Sequence, residues 1–109
     1  GIKQAIEKTN KYLKENKKDL KIEIEIRNFA ELKQVMEIGQ VDRIMLDNFS
    51  PIDAKKAVFL IDHRFETECS GGINEQTIKQ FAQSGVDFIS VGALTHHISA
   101  LDLSLMADE

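Results

Sequence analysis

The sequence contains one cysteine, Cys69, so no internal disulfide framework is available, and the composition suits the cytoplasm. No apolar run approaches the ~20 residues that a membrane-crossing helix needs, and no basic-then-apolar signal opens the chain. Basic residues are also in deficit. Fourteen Lys and Arg stand against eighteen Asp and Glu, a net charge of −4 that argues against nucleic acid or an anionic membrane as the main partner. Low-complexity segments, linkers, Walker motifs and dinucleotide-binding motifs are absent; "SGG" is not GxGxxG. What remains, at 109 residues and 42% apolar content, is an ordinary globular chain of one domain or part of one. It opens at "GIKQAIEKTNKYL", already inside a helical pattern and without an initiator methionine, which predicts a fragment.

What is present is a strand–helix alternation. Ile2, Ala5, Ile6, Thr9 and Leu13 recur at helical spacing, predicting a helix over 2–16. "KIEIEI" alternates strictly and predicts a strand over 21–26. Asn28 with Glu31 has capping-box spacing and opens a helix through about 38 that Gly39 closes. "VDRIML" is a second strand, and Ser50–Pro51 with Asp53 starts the next helix. "FETEC" is a third strand. Asn74 is expected to cap a helix over about 75–84, with Ile73 and Ile78 as a hydrophobic staple, ended by Gly85. "VDFISV" is a fourth strand, and "ALTHHISALDLSLM" reads as helical.

A helix followed by four βα units favours a parallel sheet with helical crossovers. The strand ends, at Glu25, Asp47, Ser70 and Gly92, recur at intervals of about 22 residues, one βα module each. Four modules make half of an eight-stranded barrel or most of an open doubly wound sheet.

Side chains alternate across a strand, so each strand carries two sets. Glu23 and Glu25 share one face of the first strand, Arg43 and Asp47 one of the second, Glu66, Glu68 and Ser70 one of the third, and Ser90 and Gly92 one of the fourth. One reading of this alternation is a single wet sheet face. Parallel sheets are normally covered on both faces, however, and buried charges must then be paired, bind metal or line a solvated mouth. Gly71–Gly72 could be a mere turn. Gly92 ends the neighbouring strand, and "ALTHH" follows as an expected helix start. Two such turns beside helix N-termini would form a phosphate cradle, because free N–H groups and the helix dipole favour an anion.

Four further residues carry less. Cys69 has the opposite parity to Ser70 and is expected to be buried against the helices rather than nucleophilic. His96 and His97 are adjacent, diverge by about 100° on a helix and have no third ligand at suitable spacing, so a phosphate-donor role suits His96 better than zinc. His63 follows a helix and is expected to be exposed or to cap it.

"KIEIEIRNFAEL", "IMLDNFSP", "ECSGGI" and "SVGALTHHISALDLSL", in that order, resemble the C-terminal half of the quinolinate phosphoribosyltransferase family. The opening "GIKQAIEKTN" is similar to the segment after that family's central "NHI" motif, so the resemblance runs across nearly all of the chain. It implies an α/β fold in which residues 1–109 supply parallel βα units forming roughly half of a TIM-like barrel, with an N-terminal domain and the first barrel strands lying outside them. It implies condensation of quinolinate with phosphoribosyl pyrophosphate, with Mg2+, to nicotinate mononucleotide, pyrophosphate and carbon dioxide in NAD biosynthesis. Carried over by motif, Glu25 and Asp47 would hold the ribose hydroxyls and metal-linked water, and Ser70, Gly71 and Gly72 the ribose 5-phosphate. Gly92 and Ala93 would form the second phosphate loop, with His96 as the histidine of "LTH".

The resemblance further implies a homodimer or higher assembly whose partner subunit completes the site, and basic quinolinate-binding residues upstream of this sequence. Two departures appear: Cys69 stands for the alanine of "EASGG", and "GQVDRIMLD" is one residue longer than the usual spacing, which leaves the register of Arg43 open. Other readings are another phosphate-binding barrel enzyme, of the nicotinate or an amino-acid biosynthesis type, and a catalytically inert, self-associating half-barrel.

Overall fold

The computed structural model describes residues 1–102. In chain order the elements are α1 (Ile2–Glu15), β1 (Glu23–Ile26), α2 (Phe29–Ile38), β2 (Arg43–Asp47), α3 (Pro51–Ile61), β3 (Glu66–Ser70), α4 (Ile78–Ala82), β4 (Phe88–Val91) and β5 (Leu94–His97), followed by a 3₁₀ turn at Ile98–Ala100. The five strands lie side by side in sequence order. β1 to β4 run parallel, and β5 returns antiparallel to β4. Strand order never reverses, as it does in a doubly wound sheet, so of the two architectures open to the sequence this is the singly wound, barrel-type arrangement.

Local chemistry accounts for the boundaries. The Asn28 side chain accepts the Glu31 N–H at 2.8 Å, and Glu31 reaches back to the Arg27 N–H at 2.7 Å, one residue earlier than in a standard capping box. Gly39 closes α2 through its N–H to Val35 at 2.8 Å. Ser50 Oγ accepts the Asp53 N–H at 3.1 Å, with Pro51 at the first helical position.

One face of the sheet carries Ile24, Ile26, Ile44, Leu46, Thr67, Cys69 and Ile89. Helical Ile6, Leu32, Val35, Ala54, Ala57, Ile61, Ile78 and Phe81 join Ile26, Ile44, Leu46, Cys69 and Ile89 in a single buried apolar cluster, with Ile24 packed against it. This is the helix-covered side, and Cys69, free and buried, lies within it. Burial above all, with the charge of Glu68, pushes its thiol up to about 12, so it is a packing residue with no thiolate to offer.

Two expectations need correction. The helix expected over 75–84 is only Ile78–Ala82, because Asn74 uses its Oδ1 on the N–H groups of Gln76 and Thr77, at 2.9 and 3.2 Å, and so holds a turn ahead of the helix. The segment expected to be helical from Ala93 begins instead with a strand, Leu94–His97, and then the 3₁₀ turn; its residues 103–106 lie outside those described. Gly92, at φ 63°, opens a two-residue hairpin turn of the type II′ pattern, and Thr and His are poor helix formers. The pairs Val91–Leu94, Ser90–Thr95, Ile89–His96 and Phe88–His97 then form the ladder.

Candidate active site

The second sheet face carries Glu23 and Glu25 from β1, Arg43, Met45 and Asp47 from β2, Glu66, Glu68 and Ser70 from β3, Phe88 and Ser90 from β4, and Thr95 and His97 from β5. The polar sets read from strand alternation thus fall on one face. Register also resolves Arg43, which stands between Glu23 and Glu66.

At the C-terminal rim, Asp47 pairs directly with Ser70. The next residue, Asn48, donates its N–H to the Ser70 carbonyl at 2.9 Å, tying the ends of β2 and β3 together. Asn48 also presses on Gly71: a Cβ at Gly71 would stand 2.4 Å from Asn48 Oδ1 and 3.1 Å from its backbone nitrogen. Bare backbone at Gly71 is therefore a steric requirement of this rim. Glu25 is exposed on the same face, opposite Met45, one same-face position before Asp47. Gly92 and Ala93 form the exposed tip of the β4–β5 hairpin.

His96 is the candidate the fold separates from the others. Strand alternation pairs it with Ile89 on the helix-covered side, whereas Thr95 and His97 face the polar side. His97 sets its ring edge-on to Phe88 at 5.0 Å, and its Nδ1 accepts the Ser99 N–H at 3.0 Å. His63 is exposed just beyond α3, where Asp62 provides the left-handed cap.

Below the rim lies a network that motif reasoning did not single out. Glu68 is 2% exposed. Arg43 Nη1 reaches its Oε1 at 3.3 Å, and Ser90 Oγ donates to its Oε2 at 2.6 Å. Thr95 Oγ1 lies 2.7 Å from Ser90 Oγ. Arg43 also meets Glu66 at 3.5 Å and lays its guanidinium 3.6 Å from the centre of the Phe88 ring. The available signal was parity: an arginine on the same strand face as four glutamates of the neighbouring strands.

Burial alone would raise the Glu68 carboxyl, but hydrogen bonds from Glu23, Ser90 and Arg43 outweigh it and hold the carboxyl below its ordinary value. Glu23 is pushed the other way, up to about 7, first by desolvation and then by its contact with Glu68. An acid with raised affinity in the folded chain binds more protons there than when unfolded. Stability therefore falls as pH climbs from the ordinary glutamate value of 4.5 to about 7 and is level above that. Glu68 has the opposite sign, its contribution being lost below 4.5. The wild-type melting temperature should decline between about pH 5 and pH 7, and Glu23→Gln should remove most of that decline. Parallel curves for the two proteins would refute this assignment.

Among the described residues no group of three His, Cys, Asp or Glu side chains is placed to hold a metal ion. Glu25 and Asp47 nevertheless suit Mg2+, which keeps several waters and commonly takes one or two carboxylates together with substrate phosphates. The clefts between helices, one lined by Pro51, Lys55, Gln80 and Ser84 and another by Phe29, Leu32, Met36 and Leu60, do not reach the polar face.

The family model for the quinolinate phosphoribosyl transferase C-terminal domain matches residues 1–106. This chain belongs to that family. It is 42% identical over 122 aligned residues to the chloroplastic nicotinate-nucleotide pyrophosphorylase (carboxylating) of Arabidopsis thaliana, covering 99% of this chain and 35% of that protein. It is 40% identical to the mitochondrial quinolinate phosphoribosyltransferase (decarboxylating) 2a of Nicotiana tabacum, with the same coverages. Among solved structures, the nicotinate-nucleotide pyrophosphorylase of Francisella tularensis superposes with a TM-score of 0.75 at 39% identity, over 85% of this chain and 31% of that one. The chain thus spans about a third of the length of the family members it matches. No helix among the described residues is long and apolar enough to cross a membrane. The compartments named for the relatives, chloroplast and mitochondrion, are not the cytoplasm expected from composition.

Proposed function

We propose that this chain is the ribose- and phosphate-handling part of a pentosyltransferase that condenses quinolinate with phosphoribosyl pyrophosphate, giving nicotinate mononucleotide, pyrophosphate and carbon dioxide for NAD synthesis. The observation that carries it is the rim itself. In a chain of this family, Asp47 and Ser70 stand side by side, the Asn48–Gly71 contact keeps backbone bare, and Glu25 shares their face.

The chemistry follows from these residue types. Loss of pyrophosphate leaves a cationic, oxocarbenium-like ribose carbon, which the Glu25 and Asp47 carboxylates would stabilise while orienting the ribose hydroxyls. Backbone N–H groups of the Ser70–Gly72 loop, with those of the Gly92–Ala93 turn, would receive the 5-phosphate. Glu25 and Asp47 are the residues that would hold Mg2+, indirectly; when bound, the ion would supply charge neutralisation for the departing pyrophosphate.

Quinolinate brings two carboxylates and needs cations. Arg43 is engaged by Glu66 and Glu68, Arg64 bonds the Met36 carbonyl, and Arg27, just past β1, is the only arginine at the rim. Further basic residues and a partner subunit in a homodimer or larger assembly therefore belong to the proposal for the whole enzyme, as does, on composition, a cytoplasmic setting.

Titrating the 15N-labelled chain with ribose 5-phosphate should move the amide resonances of Ser70, Gly71 and Gly72 in a saturable way. Unmoved amides would remove the phosphate reading. The chain alone should yield no nicotinate mononucleotide above a Glu25→Ala control; a measurable yield would show that the basic pocket is not needed from outside.

A further inference from the structure

We infer that Glu68 is a positioning residue for the phosphate cradle, its buried carboxylate setting the distance between the Ser70–Gly72 loop and the Gly92–Ala93 turn. This inference rests on the phosphate reading above and adds a residue that touches no substrate.

β2 and β3 are joined by five register pairs, reaching Asp47 with Ser70 at the rim. β3 and β4 share only two, Glu68 with Phe88 and Cys69 with Ile89. Beyond Cys69 that ladder stops, and Ser90 takes its partner from β5 instead. Register pairing therefore does not fix how far Ser70 and Gly71 stand from Gly92.

The side chains of Glu68 and its neighbours supply that link. One carboxylate oxygen accepts from Ser90 on β4 at 2.6 Å and lies 3.5 Å from the Thr95 hydroxyl on β5. The other is met by Arg43 on β2 at 3.3 Å. A single group on β3 thus joins four strands. It lies two residues before Ser70, and its partner Ser90 lies two residues before Gly92. Glutamine has one acceptor oxygen and cannot serve the guanidinium and the hydroxyl as a carboxylate does.

The test uses the full 109-residue chain, 15N-labelled, with ribose 5-phosphate as probe, comparing wild type, Glu68→Gln and Ser90→Ala. Ser90→Ala removes the 2.6 Å bond without touching the Arg43 pair, so it serves even if Glu68→Gln does not fold. Both variants should shift the amides of Gly92 to Thr95 in the free chain and raise the dissociation constant roughly tenfold, since ångström-scale misplacement of binding groups is costly. A purely structural role would lower the melting temperature and leave the dissociation constant in place. A wild type that binds, with variants that bind equally well, overturns the positioning role alone. A wild type that does not respond to ribose 5-phosphate overturns the phosphate reading and this inference together.

Discussion

Gly71→Ala should lower the melting temperature by roughly 15 °C, about twice the effect of the same substitution at Gly72, because the two glycines face different obstacles. Both have positive φ, 91° and 69°, so alanine at either is strained by about 1–3 kcal/mol. At Gly72 no atom lies within 4 Å of the new Cβ, and strain is the whole cost. At Gly71 the new Cβ would meet Asn48 Oδ1 at 2.4 Å and the Asn48 nitrogen at 3.1 Å. The amide oxygen can swing aside. The nitrogen cannot, because it donates to the Ser70 carbonyl, so relief requires β2 and β3 to part at the rim. The added cost is about 2 kcal/mol, a large share of the stability of a domain this small. Thermal melts of the two variants followed by circular dichroism decide it, and equal losses would mean the Asn48 contact is not a constraint.

Arg43→Met should cost about 3 kcal/mol at neutral pH by leaving the Glu68 carboxylate buried without its cation. The loss of the guanidinium packed on Phe88 adds to it. Without the arginine the Glu68 carboxyl loses one of the contacts that hold it below its ordinary value, so it takes up a proton more readily in the folded chain and protonation relieves the defect. The deficit relative to wild type should therefore shrink as pH falls toward about 4, and Arg43→Met with Glu68→Met should recover much of it. Urea denaturation at two pH values measures both effects. A neutral-pH loss under about 1 kcal/mol would place this pair among weak surface ion pairs.

Legibility of the sequence differed by region for identifiable physical reasons. "KIEIEI" and "FETEC" showed their faces because strand alternation has a period of two, and Asn28, Ser50 and Gly39 announced helix boundaries because capping is local chemistry. The Ser70–Gly72 turn was visible as glycines, but the reason for Gly71 was not, since Asn48 approaches it from another strand. Glu68 was legible as a member of a polar set and illegible as a hub: Arg43 and Ser90 lie 25 and 22 residues away in sequence. "ALTHH" misled because apolar residues and histidines in a short run fit helix or strand equally until a partner is known. Once β4 supplies that partner, alternation turns His96 away from the polar face and brings Thr95 and His97 to it.

The β4–β5 hairpin bears on how such a sheet could be enlarged. The flank of β4 that a newcomer parallel to it would need is already taken by β5. Among the described residues the sheet has two margins: β1, where Glu23 to Ile26 could take a neighbour running with β1 to β4, and β5, which runs against them. A complete ring built on this half would keep a seam at β5 or have to peel that strand away.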